Sequence, residues 1–219
     1  MSTLLVIPAF KEEQTLPGLV EAIRKHVPDV MVIDDGSEDA TTLVSMLAGA
    51  MVHRLKDNMG KGEALKTAFE YALVKGYDHV ITMDGDGQHN PEDLLNFLPL
   101  LEQYDLILGN RMDDSGRVPL LRRIANRTSS MIVSALCFQR IHDSQTGFRA
   151  YSANLLRKVT LYSSRYDMET EVIIKAARKR LRIGHTHIQT IYAGEVSRFR
   201  NLKDSARFFW VLVKSFTWW

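Results

Sequence analysis

Residues 83–92 read MDGDGQHNPE, and their acidic and amide side chains alternate: Asp84, Asp86 and then Gln88. A hard divalent cation prefers oxygen ligands, and Mg²⁺ typically takes one or two carboxylates while substrate phosphates complete its shell. The spacing therefore indicates an open metal site that accepts a phosphorylated substrate. An acidic loop without a metal is the alternative. For His89 we favour a hydrogen-bonding role over metal ligation.

Several common phosphate- and metal-binding motifs are excluded by the residues themselves. No GxGxxG or GxxxxGK[ST] pattern is present, which excludes the usual dinucleotide and P-loop sites. An EF-hand is excluded because His89 stands where that loop needs glycine and Leu95 where it needs glutamate.

Short apolar segments alternate with helical patterns through the first half of the chain. The predicted strands are 3–9, 29–34, 50–55, 78–84 and 104–110, and a later one covers 182–193. Helices are expected over 119–138, 152–160, 167–180 and 202–217. Such alternation predicts one α/β domain with a mostly parallel sheet covered on both faces, whose ligands bind at the carboxyl ends of the strands.

Bulk properties narrow the function classes further. The 219 residues are 45% hydrophobic and 25% charged, as in ordinary globular proteins, and the net charge of +2 argues against a general nucleic-acid binder. The single cysteine, Cys137, excludes an intrachain disulfide, and together with the start MSTLLVIPAF it predicts a cytoplasmic setting. No apolar stretch is long enough to span a membrane.

Six motifs in order carry a family resemblance: IPAFKEEQTL (7–16), VIDDGSEDAT (32–41), DNMGKGEAL (57–65), MDGDGQHNPEDL (83–94), LGNR (108–111) and DSQTGFRAYS (143–152). Together they resemble glycosyltransferase family 2, which has the inverting GT-A fold, a Rossmann-like nucleotide-diphospho-sugar fold. Within it the chain is most similar to polyprenyl- or dolichyl-phosphate mannose and glucose synthases. The resemblance divides the domain into a donor-binding half, 1–110, and an acceptor-binding half, 111–219.

The resemblance also implies roles on the donor side. It gives the nucleotide sugar, GDP-mannose or UDP-glucose, to Pro8, Ala9, Phe10, Glu12 and Asp35, and it gives Mg²⁺ or Mn²⁺ and the diphosphate to Asp84, Asp86 and Gln88. For the pair Asp34–Asp35, a turn with a helix cap is the alternative. Lys61, between two glycines at a helix start, faces the donor phosphates or is an ordinary solvated lysine.

A phosphate acceptor is already an anionic nucleophile and needs cations rather than a general base. Arg123, Asn126, Arg127 and Ser130 form one helical stripe, and Ile124, Thr128, Met131 and Ala135 share another face. The resemblance places Arg111, Asp143 and Arg149 near the lipid phosphate and Arg198 in a segment that closes over the site. It makes Asp84, Asp86, Arg111 and Arg123 the catalytic residues. A solvated helix face is the alternative for the arginine stripe.

Two other functions remain open on the sequence. If the acceptor were a sugar hydroxyl, Asp143 or Glu169 would be the candidate base, whereas a non-catalytic nucleotide- or metal-binding module would need neither. His185 and His187 are expected to be structural. The tail 198–219 mixes basic and aromatic residues, which predicts peripheral contact with the inner face of a membrane, or else packing on the core. Oligomeric state is not predicted.

Overall fold

The computed structural model describes residues 1–111, 120–165, 167–189, 191 and 215, with the side chains of 120–123 outside the description. Seven strands form one sheet: β1 (Thr3–Ala9), β2 (Val30–Asp34), β3 (Met51–Arg54), β4 (His79–Thr82), β5 (Leu106–Asn110), β6 (Arg149–Ser152) and β7 (Ile183–His187). The helices are α1 (Leu16–Arg24), α2 (Thr41–Leu47), α3 (Lys61–Lys75), α4 (Leu94–Phe97), α5 (Leu120–Cys137), α6 (Ala153–Lys158) and α7 (Asp167–Arg178).

The strand order is β3-β2-β1-β4-β6-β5-β7. Strands β1 to β4 are parallel to one another, and β5 pairs with β7 in parallel. Only β6 runs antiparallel, between β4 and β5. The prediction of a mostly parallel sheet is confirmed, but β6 was missed because residues 143–152 had been interpreted only as a motif.

Both faces of the sheet are buried, as the continuous apolar strands predict. Along β1 the side chains alternate: Leu4 and Val6 pack in a core with α3, α5 and α7, whereas Leu5 and Ile7 pack in a second core with α1 and α4. This double burial fixes the strand ends rigidly, and the candidate site lies at those ends.

The predicted helices of the second half are present where the chain is described, with slightly different ends. Strand β7 is shorter than the predicted 182–193. The predicted helix 202–217 lies outside the described residues except for Ser215, which is helical and buried. In the described part of the chain, no helix combines the length and apolar character that crossing a bilayer requires.

Candidate active site

Lys61 lies at the centre of the site. It is the first residue of α3, and its Nζ is 2.5 Å from Oδ1 of Asp84, just beyond β4, and 2.9 Å from Oε1 of Glu169 in the first turn of α7. Only 12% of the Lys61 side chain is exposed, so it is not the solvated lysine considered as an alternative. One ammonium group therefore joins two segments that are distant in sequence.

The charges of this cluster hold one another ionised. Burial alone would lower the pKa of Lys61, but Asp84 and Glu169 outweigh it and raise that pKa above its usual range. Burial would likewise raise the pKa of Asp84, but Lys61 and His89 lower it well below the ordinary value. Asp84 is therefore a carboxylate, the form that binds cations.

His89 packs beside Asp84. Its Nε2 is 3.7 Å from Oδ2 of Asp84, and its ring meets Phe148 edge-on with centroids 5.4 Å apart. Its Nδ1 is buried, and no hydrogen-bond partner for that atom lies within the described residues. The position agrees with a side chain that supports Asp84.

Asp86 is half-buried on the same loop, and its Oδ1 accepts a hydrogen bond from the backbone N–H of Gln88 at 3.0 Å. Burial raises the pKa of Asp86, and the neighbouring Asp84 charge raises it further. The loop thus places two carboxylates that repel each other close together, an arrangement that a cation relieves.

The donor atoms fit a divalent ion of the Mg²⁺ or Mn²⁺ type. Asp84 and Asp86 supply oxygen ligands, and Gln88 is half-buried beside them. Asp84, Asp86 and Glu169 with Lys61 leave a formal charge of −2, which a divalent cation balances. No group of three or more His, Cys, Asp or Glu side chains suited to a metal occurs among the described residues. With two carboxylates and one amide as oxygen donors, the site suits a cation that shares its shell with a bound diphosphate.

The two adjacent acids at the end of β2, Asp34 and Asp35, accept hydrogen bonds from different segments. Asp34 accepts from the Ser37 backbone N–H at 2.8 Å and from the Thr42 hydroxyl. Asp35 accepts from the backbone N–H groups of Met59 at 2.7 Å and Gly60 at 2.8 Å. A turn and a loop attachment thus account for both acids, and nucleotide contact by Asp35 stays a prediction.

The first motif lies beside Asp35 at the end of β1. The Ala9 carbonyl accepts from the Asp35 N–H at 2.8 Å, and the Glu12 N–H donates to the Thr41 hydroxyl at 2.9 Å. Pro8 and Phe10 are half-buried. The structure therefore brings the predicted nucleotide-binding residues to one sheet edge, next to Asp84.

The glycines around Lys61 allow close packing rather than an open loop. A Cβ on Gly62 would lie 2.6 Å from the Ser164 carbonyl carbon, and the Glu63 N–H donates to the Ser164 oxygen at 3.0 Å. A backbone carbonyl thus takes one of the free N–H groups at the start of α3, which weakens the case for a phosphate cradle there.

On the acceptor side, Arg111 holds Asp143 with two hydrogen bonds, from Nε at 2.7 Å and Nη2 at 3.2 Å. Burial alone would raise the pKa of the fully buried Asp143, but Arg111 lowers it below the ordinary value. A carboxylate with a lowered pKa is a weak base, so Asp143 is poorly suited to remove a proton.

Arg149 has a structural position that differs from the prediction of contact with the acceptor phosphate. Its guanidinium is fully buried and donates to the carbonyls of Thr146 at 2.6 Å, Glu169 at 2.6 Å and Ser144 at 2.9 Å. These contacts join the 143–149 loop to α7 and leave Arg149 without an exposed surface for a ligand.

The predicted stripe on α5 is partly structural as well. Ser130 is buried, and its Oγ accepts from the Ser144 backbone N–H at 3.0 Å. Asn126 is half-buried and Arg127 exposed, so both can meet a ligand at the surface. The Arg123 side chain and the whole of Arg198 lie outside the described residues.

Two features of this site were not predicted from the sequence. Lys61 and Glu169 are 108 positions apart in the sequence, and no local sequence pattern predicts that they form an ion pair. Gly147 is the second: a Cβ there would lie 2.3 Å from Oδ2 of Asp84. The sequence shows Gly147 within the segment Thr146-Gly147-Phe148, but it does not show that Asp84 packs against this glycine.

Known proteins have sequences and folds similar to those of this chain. The family model described as "Glycosyl transferase family 2" matches residues 4–160. The chain is 31% identical to an undecaprenyl-phosphate mannosyltransferase of Micrococcus luteus, over 84% of this chain and 81% of the relative. It is 28% identical to a UDP-N-acetylglucosamine–dolichyl-phosphate N-acetylglucosaminyltransferase of Methanococcus voltae, over 95% of this chain and 94% of that one.

Solved structures show the same fold. Glucosyl-3-phosphoglycerate synthase from Mycobacterium tuberculosis, crystallised with Mn²⁺, UDP-glucose and phosphoglyceric acid, superposes with a TM-score of 0.77 over 98% of this chain and 79% of that chain, at 22% identity. This likeness supports the predicted GT-A fold and carries nothing further. Because the family model matches most of its length, the chain belongs to glycosyl transferase family 2 and is a glycosyltransferase.

Proposed function

We propose that this enzyme transfers a hexose, mannose or glucose, from GDP-mannose or UDP-glucose to a polyprenyl phosphate with inversion at the anomeric carbon. The observation that carries the proposal is that both candidate bases, Asp143 and Glu169, are already bound in ion pairs. Arg111 binds Asp143 at 2.7 Å, and Lys61 binds Glu169 at 2.9 Å. Both carboxylates are buried and already bound to a cation, so neither is placed to deprotonate a sugar hydroxyl, whereas a phosphate acceptor needs no base.

The relatives support the same acceptor class. A mannosyltransferase named for undecaprenyl phosphate and an N-acetylglucosaminyltransferase named for dolichyl phosphate both match over four-fifths or more of each chain. Their sugars differ from each other. The acceptor class is therefore better supported than the choice of sugar.

In the proposed reaction, Asp84 and Asp86, with Gln88 beside them, hold Mg²⁺ or Mn²⁺, which supplies Lewis-acid neutralisation of the departing nucleoside diphosphate. Lys61 keeps Asp84 ionised and in place. Asp35 and the 8–12 segment line the nucleotide side. We assign residues 1–110 to the donor and 111–219 to the acceptor within a single domain.

The acceptor phosphate is proposed to lie between Arg111 and the α5 residues Arg123, Asn126 and Arg127, with Arg198 closing over it. One phosphate oxygen attacks the anomeric carbon from the face opposite the diphosphate, and the carbon–oxygen bond to the diphosphate breaks. No side chain forms a covalent bond to the sugar. The C-terminal segment would then hold the enzyme peripherally at the cytoplasmic face of a membrane.

The direct test supplies each nucleotide sugar with Mn²⁺ and offers either a short polyprenyl phosphate or free sugars. We expect transfer to the prenyl phosphate. Transfer to sugars with an inert prenyl phosphate would refute the lipid acceptor and favour the hydroxyl alternative.

The metal assignment has its own test by calorimetry. Asp86→Ala should abolish Mn²⁺-dependent donor binding, whereas Glu70→Ala, which removes an exposed carboxylate from α3, should leave it unchanged. Retained metal-dependent affinity in Asp86→Ala would contradict the assignment.

A further inference from the structure

Helix α5 exposes an apolar stripe that the proposed reaction does not use. Ile124, Met131 and Phe138, the last just beyond the helix end, follow one another at intervals of seven residues and are 52%, 73% and 92% exposed. Thr128 and Ala135 are exposed between them. Seven residues make nearly two helical turns, so Ile124 and Met131 lie in one row along the helix, and Phe138, whose φ of +52° ends the helical geometry, is exposed just after it. These three residues are called here the α5 stripe.

The stripe is not the side of α5 that faces the core. Val133 and Cys137 bury the opposite side, and Ser130 fastens the helix to Ser144. An amphipathic surface helix normally turns polar residues to solvent, and a contiguous exposed apolar row marks an interaction site. In the described part of the chain, the helix thus has one apolar side that packs in the core and a second that is exposed.

The charge around the stripe identifies the kind of partner. Residues 115–142 contain five arginines and no aspartate or glutamate. Arg127 and Arg140 are both exposed. Apolar side chains set among cations are the combination that binds anionic lipid headgroups, because burial of the apolar groups and attraction to the headgroups add.

Another exposed apolar group on the protein lacks this charge. On α2, Leu43 and Leu47 are 58% and 78% exposed, but the helix carries no charged residue, and Glu38 and Asp39 precede it. An anionic surface would repel those acids. The α2 group therefore serves as a matched control.

We propose that the α5 stripe lies on an anionic lipid bilayer and sets the orientation of the enzyme on it. The inference deepens the proposed function, on which it rests, because an acceptor anchored in a bilayer must be met at its surface. Arg127 is about 60° around the helix from Ile124 at 100° per residue, so the cationic side of α5 lies next to the lipid-facing side. The same helix would then face the membrane and the acceptor phosphate.

Cosedimentation with vesicles tests this surface. Vesicles of phosphatidylcholine alone are compared with vesicles that also contain about 30% phosphatidylglycerol. We expect binding to the anionic vesicles, weakened by salt. Met131→Gln/Phe138→Gln should lower their partition coefficient about tenfold or more, because two large apolar groups no longer leave water. Leu43→Gln/Leu47→Gln should match the unchanged protein.

A labelling experiment gives a signal that does not depend on a loss. The only native thiol, Cys137, is buried, and burial raises its pKa to about 12, so it reacts slowly. An environment-sensitive fluorophore on Phe138→Cys should shift to the blue with anionic vesicles, whereas one on Leu47→Cys should not. Equal responses at both positions would overturn the proposal.

Two further outcomes separate this inference from its alternatives. If the α5 double variant binds vesicles normally but abolishes a dimer seen by sedimentation velocity, the stripe is an interface between copies of this chain and the proposal is wrong. Failure of the proposed function appears elsewhere, as absence of transfer to a soluble short prenyl phosphate. Vesicle binding through α5 does not depend on that turnover.

Discussion

The Asp84 carboxylate lies against the backbone of Gly147, so closely that a Cβ on Gly147 would be 2.3 Å from Oδ2 and 2.5 Å from Oδ1. Real side chains do not tolerate such distances, and both neighbours are firmly held. Asp84 is bound by Lys61, and the Gly147 carbonyl accepts from the Thr82 hydroxyl at 2.8 Å. The absence of a side chain at 147 is therefore what allows the Asp84 carboxylate its position.

Gly147→Ala should displace the Asp84 carboxylate and lower kcat/KM about 100-fold, since a misplacement of about 1 Å costs that much in positioned sites. Steady-state kinetics and calorimetric donor binding with Mn²⁺ measure the effect. Gly18→Ala is the matched control, because a Cβ at that exposed helical position meets nothing within 4 Å. It should leave activity unchanged and stabilise by up to about 1 kcal/mol. Full donor affinity in Gly147→Ala would contradict the argument.

Lys61→Met should lower the free energy of unfolding by about 3–5 kcal/mol, because it leaves the half-buried carboxylate of Asp84 and the buried carboxylate of Glu169 without their cation. Adding Glu169→Gln to Lys61→Met should recover part of that loss by removing one uncompensated charge. Urea denaturation compares the three proteins.

The control for this series lies on the same helix. Lys66 pairs with Glu63 at 2.6 Å near the surface, and Lys66→Met should cost less than about 1 kcal/mol. Similar losses for Lys61→Met and Lys66→Met would show that the central bridge contributes no more than a surface pair.

The strands of the first half were predictable because their burial leaves a direct trace in the sequence. Strands β2 and β4 are buried along their whole length, and each has an apolar centre, Val30–Ile33 in β2 and Val80–Ile81 in β4. Asp84 and Asp35 follow such runs, which predicts that they lie at the same end of the sheet. Local pattern sufficed there because strands β1 to β4 are all parallel, so their carboxyl ends lie at the same end of the sheet whatever their order.

The second half was less predictable for a physical reason. Strand β6 is only four residues long and begins with Arg149, a charged residue whose burial depends on three carbonyls brought from elsewhere. Likewise, Lys61 and Arg111 meet their carboxylates only after the sheet forms. Sequence shows which residues can form such contacts but not which partner each one takes.

Arg149→Met tests whether this arginine supports the loop rather than the acceptor. The carbonyls of Ser144, Thr146 and Glu169 would lose their donor while buried, so the free energy of unfolding should fall by about 3 kcal/mol or more. Arg157→Met removes an exposed arginine from α6 and should change stability by less than about 0.5 kcal/mol. Unchanged stability in Arg149→Met, with a specific loss of acceptor affinity, would restore the original ligand role.

The lowered pKa of His185 predicts how the free energy of unfolding responds to acid. Burial first, and then the neighbouring His142, with ring centroids 4.6 Å apart, lower its pKa to about 4. Arg140 adds repulsion, whereas Asp143 and the Arg140 carbonyl, which accepts from Nε2 at 3.1 Å, act in the opposite direction. Because a carbonyl only accepts, Nε2 carries the proton and the buried Nδ1 is the atom that acid must protonate.

The sign follows from linkage. The unfolded chain binds this proton near pH 6.5 and the folded one only near pH 4, so stability is fully present above about pH 6.5 and is lost as the pH falls towards 4. After discounting for partial exposure of the ring, the loss should be about 2 kcal/mol. Denaturation at a series of pH values should show a shallower acid slope for His185→Gln. His142→Asn should make the acid-dependent loss of stability smaller, because it removes the repulsion between the two rings. Parallel curves for the unchanged protein and His185→Gln would show that this imidazole titrates alike in both states.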